Sequence, residues 1–137
     1  MRVRDLMSTE VATVRRNDKL AIADDVMNLG RVRHTPVLDD HSDDVVGILS
    51  QRDLFRGALA RAIGYGGHAQ QKLLNLLVVK DVMTTEPITT TPDAPLADAA
   101  RLMLTRKIGC LPVLEDGRLV GILTESDFVQ LALRRSA

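Results

Sequence analysis

The side chains with the clearest chemical potential in this chain come as two matched pairs, Ser50 with Asp53 and Thr124 with Asp127, each pair following the tripeptide Gly-Ile-Leu. A carboxylate has two acceptor oxygens and can take both hydroxyl protons of a ribose 2′,3′-diol in a near-bidentate arrangement. The hydroxyl one helical turn earlier can bond the same ribose or an early phosphate, and a helix N-terminus presents N–H groups to an anion. The spacing also has the form of a capping box, in which the hydroxyl caps the third helical residue and the acid reaches back to the N-cap amide. A single copy favours the cap. Two copies in matching context favour diol binding, with the cap persisting in the empty state and yielding to ligand.

Other chemistries find little support. There is no Walker A loop, no G-x-S-x-G and no clustered His/Asp/Glu set for acid–base work, so an enzyme is not expected. Cys110, the single cysteine, cannot form an internal disulfide, and no Cys/His cluster has metal-ligand spacing, which fits a reducing cytosol. Cys110 reads as a buried small side chain, His68 as a loop residue, and His41 as part of a polar turn. Eighteen basic residues balance eighteen acidic ones and aromatics make up 2%. The field and the stacking platforms that draw proteins to nucleic acid are therefore missing. No apolar leader and no run of eighteen uncharged apolar residues is present, so neither export nor membrane spanning is indicated.

The elements that must hold the two pairs are themselves written twice. "DLMSTEVATV" from Asp5 matches "DVMTTEPITT" from Asp81, and "TPVLDD" from Thr35 matches "LPVLED" from Leu111, both at an offset of 76 residues. The Gly-Ile-Leu phrase recurs at an offset of 74, so the second copy is two residues shorter in the polar turn where "DDHSDDVVG" becomes "EDGRLVG". Such length changes are tolerated in hairpin loops. Each copy reads as a β-branched strand, a helix, two apolar strands joined by a turn, and a second helix. In the first helices Leu20, Ala23, Val26 and Met27 share one face, as do Leu96, Ala99, Ala100 and Met103. Asp93 is the natural N-cap of the second of these, with Pro95 in its first turn. Between the copies, Gly64, Gly66 and Gly67 should interrupt a helix that Leu73, Leu74 and Leu77 resume.

The doubled D-h-M-T lead segment, h-P-V-L strand and G-I-L-[ST]-x-x-D strand exit resemble a tandem pair of CBS domains, the arrangement called a Bateman module. The resemblance spans nearly the whole chain, with residues 1–60 as the first repeat, 61–76 as a helical connection and 77–137 as the second repeat. It implies an α/β fold of two β-α-β-β-α repeats packed sheet to sheet about a pseudo-twofold axis. It further implies a non-enzymatic, cytoplasmic regulatory module, a homodimer, that binds AMP, ADP, ATP or S-adenosylmethionine and acts on a separate partner protein. No cofactor is required on this reading. A structural dimer with degenerate, ligand-free clefts is the alternative.

Carried onto this sequence, the resemblance assigns ribose binding to Asp127, Thr124, Asp53 and Ser50. Asp127 and Thr124 are expected to face Val11, Ala12 and Val32, with Arg33 and His34 for phosphate. Asp53 and Ser50 are expected to face Pro87, Ile88, Ile108, Gly109 and Cys110. Ile48 and Ile122, within the strand exits, complete the adenine pockets. Because "VRHTPV" supplies basic side chains and "IGCLPV" supplies none, the Asp127 cleft is expected to be the better phosphate site, while the Asp53 cleft takes a nucleoside, binds weakly or borrows Arg52. Arg33 and His34 as a solvated pair at a helix-to-strand junction is the competing reading. Met7 and Met83 are expected to line the adenine wall or fill the core.

Overall fold

The computed structural model describes residues 1–62 and 74–136, and its chain divides into two units, Ala12–Pro87 and Met1–Val11 together with Ile88–Ala137. The expected connection through Gly64, Gly66, Gly67, His68 and Leu73 lies mostly outside the described residues. Within the first unit the order is β1 (Val14–Arg15), α1 (Leu20–Gly30), β2 (His34–Leu38), β3 (Val45–Ser50), α2 (Gln51–Ala62) and β4 (Thr84–Thr85). The second contains α3 (Leu96–Arg106), β5 (Cys110–Glu115), β6 (Arg118–Thr124) and α4 (Glu125–Ser136). The strand, helix, strand, strand, helix order read from the sequence is thus present in the first copy. In the second copy the leading strand is reduced to a bridge at Thr90.

Periodicity places the cores. Leu20, Ala23 and Met27 are buried on α1 and Leu96, Ala99 and Met103 on α3, the i, i+3, i+7 stripe of a helix packed on a sheet. The α1 stripe packs with Val37, Leu49, Leu54 and Val79, and the α3 stripe with Val3, Leu111, Val113 and Leu123. Both helices stop on a residue in the left-handed conformation, Arg31 (φ 53°) and Lys107 (φ 54°). The next amides then turn back to the helix, Val32 N–H to the Met27 carbonyl and Ile108 N–H to that of Met103.

Asp93 does not cap α3. Pro95 occupies the N-cap position without a side-chain bond, and Asp93 is drawn instead to Arg4, whose guanidinium donates to it at 2.6 Å. That hydrogen bond holds the Asp93 carboxyl below its ordinary range. An arginine beside a short acid offers a bidentate donor that competes with a backbone amide.

The sheet of the first unit has the order β1-β2-β3-β4, with β1 parallel to β2 and the other neighbours antiparallel. In the second unit β5 and β6 form the central hairpin, flanked by single bridges, Thr90 parallel to Val113 and Ser8 antiparallel to Ile122. The four positions therefore recur, with the outer two reduced. The hairpin turns differ as the two-residue offset requires. Asp116 and Gly117 both take positive φ, 51° and 77°, as a tight Asp-Gly hairpin demands. The longer first loop closes with Asp39 N–H donating to the Asp44 carbonyl at 3.0 Å. It is clamped by Arg15, which donates to the carbonyls of Asp39 and Ser42 and to Asp43 Oδ1.

The resemblance set each strand exit against the lead segment of the other copy, but gave the D-h-M-T residues no strand pairing. The D-h-M-T segment of each copy runs beside the Gly-Ile-Leu strand of the other, β4 along β3 and Ser8 along β6. The glycines make this approach possible. A Cβ at Gly47 would lie 2.6 Å from Met83 Sδ and 2.8 Å from the Thr84 carbonyl; at Gly121 it would lie 2.7 Å from Met7 Sδ and 2.9 Å from the Ser8 carbonyl. Met7 and Met83 thus cross a bare backbone and pack against the cores, as one of the two alternatives for them anticipated.

Candidate functional site

The first strand exit is assembled by the β2–β3 register, which pairs His34 with Ser50. At the next residue the Gln51 N–H donates to the Arg33 carbonyl at 2.8 Å, tying the lead-in of β2 to the first turn of α2. Ser50 Oγ then accepts from the Asp53 N–H at 2.9 Å, so the hydroxyl half of the capping box is formed. Among the described residues no donor reaches the Asp53 carboxylate, which is half-buried, while Arg33 and Arg52 are exposed. Two of the amides expected to greet an anion at this helix start are therefore engaged by protein oxygens.

The second exit has the same frame and a different bond. Cys110 pairs with Thr124, and the Glu125 N–H donates to the Gly109 carbonyl at 3.2 Å. Here the carboxylate does the capping: Asp127 Oδ2 accepts from the Thr124 N–H at 2.8 Å and from Thr124 Oγ1 at 3.2 Å. Thr124 Oγ1 also lies 2.9 Å from Ser126 Oγ. Asp127 is only 8% exposed, one of two buried polar side chains among the described residues, and the amide fixes which of its oxygens is occupied and which is left over.

The lead-in residue Cys110 is buried, and that burial, followed by the charge of Glu125, pushes its thiol up to about 12. The thiolate required of a nucleophile or metal ligand is therefore disfavoured. Among the described residues no three His, Cys, Asp or Glu side chains gather as a metal site.

The apolar candidates fall into both units. Ala12 and Val32 meet beside Gly30, where a Cβ would be 3.9 Å and 3.7 Å from them. Val32 also leans on the first core, and Ile88 and Ile108 on the second. Ile48 stands opposite Pro36 and Thr84, and Ile122 opposite Pro112 and Ser8, each two residues before an exit hydroxyl and on its face of the strand. Val11 and Pro87 are half-buried at the ends of the D-h-M-T segments. What sequence reading missed is the strand role of those segments. The invariant pairing of Gly with Met across the two copies was the available signal.

Residues 3–60 and 79–134 each match the family model for the CBS domain. A CBS domain-containing protein of Dictyostelium discoideum is 30% identical over 96% of this chain and 91% of its own length. Among solved structures, the CBS domain pair of protein MJ0100, in complex with 5′-methylthioadenosine and S-adenosyl-L-methionine, is 27% identical with a TM-score of 0.81, covering 98% of each chain. CBSX2 in complex with AMP is 30% identical with a TM-score of 0.77, covering 99% of this chain and 98% of that one.

Proposed function

Since the chain belongs to the CBS domain family and carries two copies of the domain, we propose that it is a non-enzymatic regulatory module that binds an adenosine-containing ligand at its strand exits and signals to a partner protein. The observation that carries this reading is the Thr124–Asp127 exit. A buried carboxylate, held through one oxygen by a backbone amide, keeps its second oxygen for a diol, and orientation by the protein lowers the cost of ordering on binding. Ser50 and Asp53 offer the same groups in the first copy. Ile48 and Ile122 supply apolar surface for adenine, and Arg33 and His34 supply basic groups for phosphate. The adenosine ligands of the solved relatives, AMP in one and S-adenosyl-L-methionine in the other, support the ligand class.

Homodimerisation belongs to this proposal. Leu104, Val129 and Leu133 are 79%, 60% and 67% exposed on α3 and α4, and such apolar side chains in helical register suit a partner surface. Among the described residues no helix is long and apolar enough to cross a membrane, and we place the protein in the cytoplasm.

The test is a titration of wild type and Asp127→Ala with AMP, ADP, ATP and S-adenosylmethionine. Saturable binding of at least one of the four by wild type is expected, and a ligand seated at the Thr124–Asp127 exit should be weakened at least tenfold by Asp127→Ala, since a charge-assisted hydrogen bond contributes about 1.5–3 kcal/mol. A wild type that binds none of the four would leave the repeated phrase as a capping device and the protein as an interaction dimer.

A further inference from the structure

The two exits share a motif but not its charge. Between hydroxyl and carboxylate the first carries Gln51 and Arg52 where the second carries Glu125 and Ser126. The lead-ins amplify the difference. The first exit is bonded to Arg33 and paired with His34, whereas the second is bonded to Gly109 and paired with Cys110. Within its own unit, then, the Asp53 exit carries two exposed arginines, one in its motif and one in its lead-in, and the Asp127 exit a second acid and no Lys or Arg in either stretch. The Glu125 charge reaches its lead-in, where it contributes to keeping the Cys110 thiol protonated.

Resting on adenosine binding as read above, we infer that the exits divide their ligands by charge: the Ser50–Asp53 exit selects phosphorylated adenosine compounds, and the Thr124–Asp127 exit selects those whose 5′ substituent is uncharged or cationic. Guanidinium groups pair with phosphate oxygens in a planar, bidentate manner, so Arg33 and Arg52 favour a phosphate chain beside Asp53. At the other exit a phosphate would meet Glu125 as well as Asp127, and like charges at short range raise its free energy. A cationic centre, such as a sulfonium, meets the opposite field there. This moves the phosphate preference from Asp127, where the family resemblance puts it, to Asp53, beside which the strand register holds the basic lead-in.

Isothermal titration of ATP, AMP, adenosine and S-adenosylmethionine into Asp53→Ala and Asp127→Ala leaves one exit intact in each variant. Where Asp127→Ala lowers stability, Asp127→Asn keeps an acceptor for the Thr124 amide. With the first exit intact, ATP should bind about tenfold or more tightly than adenosine, and the advantage should shrink at high salt because exposed charges are screened. With only the second exit intact, adenosine and S-adenosylmethionine should be preferred over ATP by a similar factor. Exchanging the two residues, Arg52→Ser with Ser126→Arg, should carry part of the ATP preference to the second exit. Equal preferences at both exits, or ATP retained only in Asp53→Ala, would refute the charge division while adenosine binding stands. Failure of wild type to bind any of the four compounds would instead remove the underlying reading, and this inference with it.

Discussion

At Ser50 the hydroxyl caps the helix and the carboxylate is left over; at Thr124 the carboxylate caps the strand end and the hydroxyl is shared with Ser126. One four-residue phrase has thus produced the two halves of a capping box separately. The neighbours decide which half forms. Ser126 Oγ and Asp127 Oδ2 both lie within hydrogen-bond reach of the Thr124 hydroxyl, and the γ-methyl of threonine restricts its rotamer, so the hydroxyl is drawn to side chains instead of to the Asp127 amide. Arg52, in the place of Ser126, offers no such hydroxyl, and Ser50 is free to reach the Asp53 amide. A motif shared by two sites therefore specifies the groups present and not the bonds they make.

The largest effect that bears on this comparison is expected where the copies agree. Gly121→Ala should destabilise the protein by about 1–3 kcal/mol, the range for overpacking, because the new Cβ would press on the Ser8 carbonyl. Gly47→Ala should do the same against Thr84, and urea midpoints of the two variants should fall together. If only one falls, the units are less alike than their strand patterns. Next come the carboxylates, where the copies should part. Asp127→Ala removes an acceptor from two donors and should cost about 0.5–2 kcal/mol, as loss of a helix cap does. Asp53→Ala removes a carboxylate that no described donor uses, and its ligand-free stability should move by less than about 0.5 kcal/mol. Equal losses in denaturant melts would erase the distinction between the exits.

The smallest effect sharpens the comparison in the strand core. Thr35 is fully buried with its hydroxyl lacking a hydrogen-bond partner, at the position held by Leu111 in the second copy. Thr35→Val keeps the shape, removes the unpaired hydroxyl, and should stabilise the protein by about 1 kcal/mol. A loss of stability on chemical denaturation would mean that the hydroxyl has an unrecognised role.

Much of this architecture was legible because it was written locally. The stripe of Leu20, Ala23 and Met27, the Asp116–Gly117 turn and the doubled phrases all express constraints between residues close in sequence. The exit residues were legible as types, but the hairpin register that sets His34 beside Ser50 and Cys110 beside Thr124 was not part of the sequence reading. The D-h-M-T segments were not legible as strands, since two paired residues such as Thr84 and Thr85 are too short to show period-two alternation. Their partners lie far away in the chain, where only Gly47 and Gly121 carry an imprint. Asp93 misled because a cap is a local inference, whereas its partner Arg4 comes from 89 residues away.

The crossing of these segments has a consequence in the order of synthesis. All of Ala12–Pro87 is available to fold before the chain beyond it has emerged. Met1–Val11, although made earlier, belongs with Ile88–Ala137 and must wait. During that interval Val3 and Leu6, both buried in the finished protein, have no core to enter. Closing so long a loop adds only a logarithmic entropy cost to stability, but non-local pairing slows folding. This early-made segment is thus among the last to find its place, and a nascent protein halted between the two stages would present those apolar residues to any chaperone within reach.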